Sequence, residues 1–214
     1  MALAGGSSPR ETYHLLAKFL TRDEWQKIHI FMVDERYVDG RDVHSNFRMI
    51  NETLLSYSNT ALARIYRVKT ELPNAEQAAD DYEHQIVEHF DLSFPLSSKN
   101  MIPSFDLMIL GIGADGHVAS LFPDSPSDTS QRTETPQFTR AVFFNDERGS
   151  RITMTMPIIN AAKEIVFLSY GENKRNIVRQ VLQYRREGRS EKTLPATQVL
   201  PKGDVTWFLS QNLL

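Results

Sequence analysis

Apolar runs alternate with amphipathic stretches along the whole chain. Ile28-His29-Ile30-Phe31-Met32-Val33 predicts a strand. Ser45 is a candidate helix cap ahead of Phe47, Ile50 and Leu54, which share one face. Ile65 to Val68 predicts a short strand, and Ala75 to Phe90 a helix polar on most of its surface. Phe105 to Leu110 is continuously apolar, as expected of a strand buried on both faces. Arg140 to Phe144 and Ile152 to Met156 predict strands able to pair antiparallel across Asn145 to Ser150. Ile165 to Tyr170 is a further strand, Asn173 to Glu187 a helix with Ile177, Val178, Val181 and Leu182 inward, and Val205 to Leu209 a last strand. Alternation of this kind predicts an α/β fold with a mainly parallel central sheet. Two polar, Pro/Ser-rich loops, Asp91 to Pro103 and Pro123 to Gln137, read as surface excursions within one domain.

The start reads as the end of a buried strand. Met1-Ala2-Leu3-Ala4 is apolar and runs into Gly5-Gly6-Ser7, with neither the basic nor the long apolar region of a signal peptide. The rest of that strand is expected to be missing. Ser8-Pro9-Arg10-Glu11 has the form of a capping box, followed by a helix with Tyr13, Leu16 and Phe19–Leu20 on its apolar face.

Composition narrows the function classes. Hydrophobic residues at 41% and charged residues at 24% describe a soluble globular chain, not a disordered or fibrous one. A net charge of −3 leaves no broad basic field for nucleic acid. No apolar run is long enough to span a bilayer. The absence of cysteine excludes a disulfide scaffold, a thiolate zinc site and a cysteine nucleophile, and fits a reducing cytoplasm.

Four unusual segments follow predicted strand ends: Gly5-Gly6-Ser7, Asp34-Glu35-Arg36, Gly111 to His117, and Gly171-Glu172-Asn173-Lys174. Open α/β sheets bind ligands outside the carboxyl ends of their strands, so these segments converge on one crevice. Gly5 and Gly6 permit close backbone approach to an anion, with the Ser7 hydroxyl and free N–H groups at the helix start as donors; a well-capped helix is the plainer alternative. Gly111 to Gly116 matches G-x-G-x-x-G. A dinucleotide turn is disfavoured, because Pro123 leaves barely a turn of helix and Asp115 puts a carboxylate where a pyrophosphate would lie. The segment reads instead as a tight turn presenting Asp115 and His117. Imidazole, with a reference pKa of about 6.5, is the side chain that exchanges protons near neutral pH. Asp34 and Arg36 share one side of a strand and can reach one ligand; a solvated loop with a local ion pair is the commoner fate of such a run. Arg36 offers a planar fork to a phosphate or carboxylate. Lys174, in the first turn of a helix, opposes the helix dipole unless an anion is bound. Arg151 and Arg148 both border a predicted turn, and spacing does not choose between them. His84 and His89 are wrongly spaced for shared metal ligation, and Trp25 and Trp207 read as core or edge packing.

These residues carry a resemblance. Gly5-Gly6-Ser7-Ser8-Pro9, Val33-Asp34-Glu35-Arg36, Ser45-Asn46, Leu110 to Pro123, Arg151-Ile152-Thr153-Met154-Thr155, Gly171-Glu172-Asn173-Lys174 and Leu194-Pro195-Ala196 resemble, in order, the glucosamine-6-phosphate isomerase/6-phosphogluconolactonase family. The deaminases of that family carry an Asn-Glu-Pro sequence after the His segment, and an aromatic at the position of Arg36. Ser120-Leu121-Phe122-Pro123 supplies no acid, so the lactonase branch is the better match. The resemblance implies a Rossmann-like three-layer sandwich. It implies hydrolysis of 6-phospho-D-glucono-1,5-lactone in the pentose phosphate pathway, without metal or organic cofactor, by a cytoplasmic monomer or weak oligomer with no nucleic-acid or membrane partner. Family members carry a strand–helix segment before the Gly-Gly-Ser loop, so residues 1–214 are expected to be an N-terminally truncated domain. In the implied site Gly5, Gly6, Ser7, Gly116, Arg151 and Lys174 bind the phosphorylated substrate. His117 acts as base, Asp115 orients it or a hydroxyl, Arg36 stabilises the oxyanion or binds ring hydroxyls, and Asp34 reads hydroxyls. An amino-sugar-phosphate isomerase or deaminase with Asp34 as base, and a non-catalytic sugar-phosphate sensor, are the alternatives.

Overall fold

Six parallel strands make the central sheet of the computed structural model, which describes residues 1–57, 59–92, 102–125, 137–191 and 193–213. In chain order the elements are β1 (Ala2–Leu3), α1 (Arg10–Phe19), α2 (Arg22–Trp25), β2 (His29–Met32), β3 (Asp34–Arg36), α3 (Asn46–Ile50), β4 (Arg64–Tyr66) and α4 (Ala75–His89). They continue with β5 (Met108–Leu110), β6 (Thr139–Phe143), β7 (Ser150–Met154), α5 (Met156–Asn160), β8 (Glu164–Ser169), α6 (Arg175–Arg186) and β9 (Asp204–Leu209). The strand order is β4-β2-β1-β5-β8-β9. Short as it is, β1 sits in the middle of this sheet, pairing Leu3 with Met32 on one side and Ile109 on the other. Its residues are fully buried, as the apolar stub predicted.

The order reverses between β1 and β5. From β1 the chain winds outward to β2 and β4; from β5 it winds the other way to β8 and β9. Connections leaving two adjacent strands in opposite directions open a crevice at their carboxyl ends. Gly5 and Gly111 follow those two ends.

A second sheet walls the crevice. The single apolar run predicted from Ile28 to Val33 serves both sheets. The Val33 N–H still donates to Leu3 O (3.0 Å), while Val33 O accepts from Met154 N (2.9 Å). Beyond that point the chain becomes β3, in an antiparallel sheet of order β3-β7-β6. The predicted hairpin is present, with Val142 opposite Arg151. Arg36 lies opposite Arg151 in the β3–β7 ladder.

Local expectations were met unevenly. Ser45 does cap α3, accepting from the Arg48 N–H, and the helix runs on through a wider π turn over Asn51–Leu55. Ser8 does not cap α1: Pro9 holds the cap position without a side-chain bond. The capping box is at Thr21 and Glu24, starting α2. The α4 helix is far less exposed than its polar composition suggests. Tyr82 is buried, its hydroxyl accepting from Met32 N (2.7 Å) and donating to Met32 O (2.8 Å). Trp25 is core, and Trp207 stacks on Phe167 at 4.0 Å on the edge strand β9. The middle parts of the two predicted loops, 93–101 and 126–136, lie outside the described residues. Among those described, no helix is long and apolar enough to cross a membrane.

Candidate active site

The crevice holds a cavity of about 260 Å³ lined by Gly5, Gly6, Ser7, Asp34, Arg36, His117, Arg151 and Lys174, with Ser8, Asn46, Gly113 and Ala119 among its other walls. The four segments singled out in the sequence therefore meet in one place.

His117 is half-buried at the end of the turn after β5. The Asp115 carboxylate accepts from the His117 backbone N–H at 3.1 Å and lies 2.6 Å from Nδ1 of the ring. Burial raises the Asp115 carboxyl, but the hydrogen bond and charge of His117 outweigh it, leaving it below its ordinary value. An ionised carboxylate can only accept, so the proton of this contact sits on Nδ1. The ring also stacks on Phe122, with centroids 4.1 Å apart. Two contacts thus hold the imidazole in place.

The turn is glycine-dependent at one point that matters to chemistry. A Cβ on Gly113 would lie 2.1 Å from His117 Nδ1 and 2.4 Å from Asp115 Oδ1. Gly113→Ala is therefore expected to displace the imidazole and lower turnover by about a hundredfold, the cost of ångström-scale misplacement. Unchanged kcat in that variant would show that the His117–Asp115 pair is not needed where it stands.

Three cations face the cavity. Among the described residues, none of Arg36, Arg151 and Lys174 has a carboxylate oxygen within 4.0 Å. Burial pushes the Arg151 guanidinium down, and the Arg36 charge across the ladder pushes the same way. Burial also lowers Lys174, whose Nζ donates to Ser8 Oγ at 3.3 Å. Arg36 donates to His44 O at 2.5 Å, while its buried Nε has no hydrogen-bond partner among the described residues. Like charges with no ion-pair partner of their own are stabilised further by an anion from outside.

Asp34 and Glu35 part company. Asp34 is buried in the cavity wall, accepting from Ser120 Oγ at 2.6 Å and from Asn46 Nδ2 at 3.1 Å. Glu35 points the opposite way. It accepts from the backbone N–H groups of Arg36, Asn46 and Phe47 and from Ser45 Oγ, closing the start of α3.

One expectation is corrected, and one open choice is decided. Gly116 does not line the cavity. Its φ is +86°, and a Cβ there would strike Leu194 Cδ1 at 2.2 Å, so it is a turn and packing glycine. Arg148 is bound by Asp124 and Asp146, and the cavity is lined by Arg151 instead. Gly5 and Gly6 also differ from each other. A Cβ on Gly5 would lie 1.9 Å from Asn46 Oδ1, whereas Gly6, at φ +87°, has open space beside it. Gly5 is needed for packing, and Gly6 for backbone access.

Sequence reasoning passed over Asn46, Ser120 and Phe122 as site residues. Asn46 and Ser120 position Asp34, and Phe122 positions His117. Each sits in a quoted motif, but nothing in a polar or aromatic residue beside a turn shows which way it faces. Ala119, at φ +51°, lines the cavity in a conformation few non-glycine residues adopt.

Comparison with known proteins follows the same line. Residues 1–207 match the family described as glucosamine-6-phosphate isomerases/6-phosphogluconolactonase. A 6-phosphogluconolactonase of Synechocystis sp. is 33% identical over 213 residues, covering 99% of this chain and 82% of the relative. That of Thermotoga maritima is 34% identical over 215 residues, covering 99% and 84%. A crystal structure of 6-phosphogluconolactonase from Thermotoga maritima superimposes with a TM-score of 0.76 at 32% identity, over 97% of this chain and 83% of that one.

Proposed function

The chain belongs to the glucosamine-6-phosphate isomerase/6-phosphogluconolactonase family, and on that footing we propose that its crevice hydrolyses 6-phospho-D-glucono-1,5-lactone to 6-phospho-D-gluconate, with His117 as general base. The observation that carries the reading is one cavity shared by an imidazole with a free Nε2 and three cations without carboxylate partners.

The substrate's phosphate brings about −1.5 to −2 charges. Lys174 and the Ser7 and Ser8 hydroxyls, with the Gly6 backbone, hold it at one end of the crevice. Arg151 adds charge from the β7 side. Neutral His117 takes a proton through Nε2 from a water as the water oxygen attacks C1. Asp115 stabilises the imidazolium that forms. The carbonyl oxygen gains negative charge, and Arg36 lies in the same wall to offset it. Collapse of the tetrahedral intermediate breaks the C1–ring oxygen bond. The ring oxygen leaves as the C5 hydroxyl, taking the proton His117 had accepted. Asp34, fixed by Ser120 and Asn46, accepts from a ring hydroxyl.

The test is lactone consumption by the purified chain, corrected for spontaneous hydrolysis, beside an assay of ammonia release from glucosamine 6-phosphate. Lactone turnover without ammonia supports the reading, and the reverse overturns it. The phosphate assignment has its own check. Lys174→Ala is expected to raise KM for the phosphorylated lactone about 10–100-fold, the loss of one charge-assisted contact. Hydrolysis of unphosphorylated glucono-1,5-lactone should be unaffected, and equal losses on both substrates would remove Lys174 from the phosphate site.

A further inference from the structure

Arg148 lies outside the cavity, yet it is tied to the base through one intervening ring. Its Nη1 and Nη2 meet the two oxygens of Asp124 at 2.7 and 2.8 Å, a bidentate pair. Its Nε donates to both oxygens of Asp146 at 3.0 Å, and Nη2 reaches Asp146 Oδ2 at 2.6 Å. So many contacts leave no fork for a substrate phosphate. The guanidinium plane is then free to stack. Its carbon lies 4.0 Å from the centre of the Phe144 ring and 5.1 Å from that of Phe122. The two rings meet edge to face at 5.0 Å. Phe122 is the ring on which His117 stacks.

Phe122 belongs to no helix or strand, so backbone structure alone does not hold its ring. Arg148 and Phe144 do, from the neighbouring hairpin, with the Arg151 guanidinium also over the Phe122 ring at 5.4 Å. The Arg148 carbonyl also accepts from Arg151 Nε at 3.0 Å, so the same residue orients a cavity cation. An exposed ion pair adds little to stability. A guanidinium pinned by two carboxylates and laid against two rings is more useful as a fixed surface than as a source of stability.

We propose that Arg148 is a positioning residue: clamped by Asp124 and Asp146, it holds the Phe122 ring against His117 and so fixes the place of the imidazole. The inference rests on the reading of His117 as base. Arg148 holds Asp146 down at about 2 and lowers Asp124 too, so the clamp is complete above the ordinary carboxylate range and is lost as pH falls through the folded values.

The test uses Arg148→Gln and Asp124→Asn in the whole chain. In Arg148→Gln, kcat is expected to fall about 10–100-fold, as for a misplaced catalytic group. KM should stay within about twofold, and phosphorylated and unphosphorylated lactones should lose kcat/KM by the same factor. In 1H–13C spectra the His117 Cε1–H resonance, assigned by its loss in His117→Ala, should move as the Phe122 ring current is withdrawn. Asp124→Asn, at an exposed acid, should shift both readouts the same way, and the double variant should be no worse than Arg148→Gln. If Arg148→Gln does not fold, Asp124→Asn carries the same comparison. A KM rise confined to the phosphorylated substrate would make Arg148 a phosphate ligand and overturn the proposal. An unmoved resonance with unchanged kcat would reduce the cluster to a surface ion pair. The resonance reports ring placement whether or not His117 is the base, so activity surviving in His117→Ala would sink the base assignment separately.

Discussion

His117→Ala is expected to hydrolyse the lactone about 10²–10⁴-fold more slowly than the parent chain, the range for loss of a positioned general base. KM should change little, because the cations that hold the phosphate stay in place. Stopped-flow or pH-stat measurement at one pH, with spontaneous hydrolysis subtracted, reads the loss. A variant that keeps its kcat would place the base elsewhere in the cavity.

Glu35→Ala is expected to destabilise the fold by roughly 3 kcal/mol, since each buried donor left without an acceptor costs about 1–3 kcal/mol. The lost acceptor serves Arg36 N at 2.8 Å on β3, and Asn46 N at 2.7 Å and Phe47 N at 2.7 Å at the start of α3. Urea unfolding at neutral pH measures it. Burial raises the Glu35 carboxyl, although those N–H donors pull it back in part. The folded chain therefore holds this proton more tightly than the unfolded chain. That contribution to stability is complete below the ordinary carboxyl range and is lost as pH rises through the folded value. The substitution should flatten that segment of the stability curve. A loss under about 1 kcal/mol would mean that water replaces the carboxylate at the helix start. Since Asn46 also holds Asp34, the variant should lose activity in step with any disorder of α3.

Much of this architecture was legible beforehand. Parallel strands buried on both faces leave continuous apolar runs, which is why β2, β5 and β8 stand out at Ile28–Val33, Phe105–Leu110 and Ile165–Tyr170. The site segments were legible because strand ends in such a sheet must be followed by loops, and Gly-rich or charged loops there are uncommon. What failed were questions of direction. Ser8 has the composition of a cap, but its hydroxyl accepts from Lys174. Gly116 looks like part of a phosphate turn but answers to Leu194.

Residue order along the chain determined which strands form, where the crevice lies, and that His117, Asp34, Arg36 and Lys174 border it. Those follow from local periodicity and from short-range turns. Three-dimensional packing alone decided between Arg148 and Arg151. They are three positions apart, and the choice depends on Asp124, brought in from a distant loop, and on Arg36 across the ladder. It also decided that Glu35 caps a helix, because the donors that satisfy this buried carboxylate come together only when the start of α3 packs against β3.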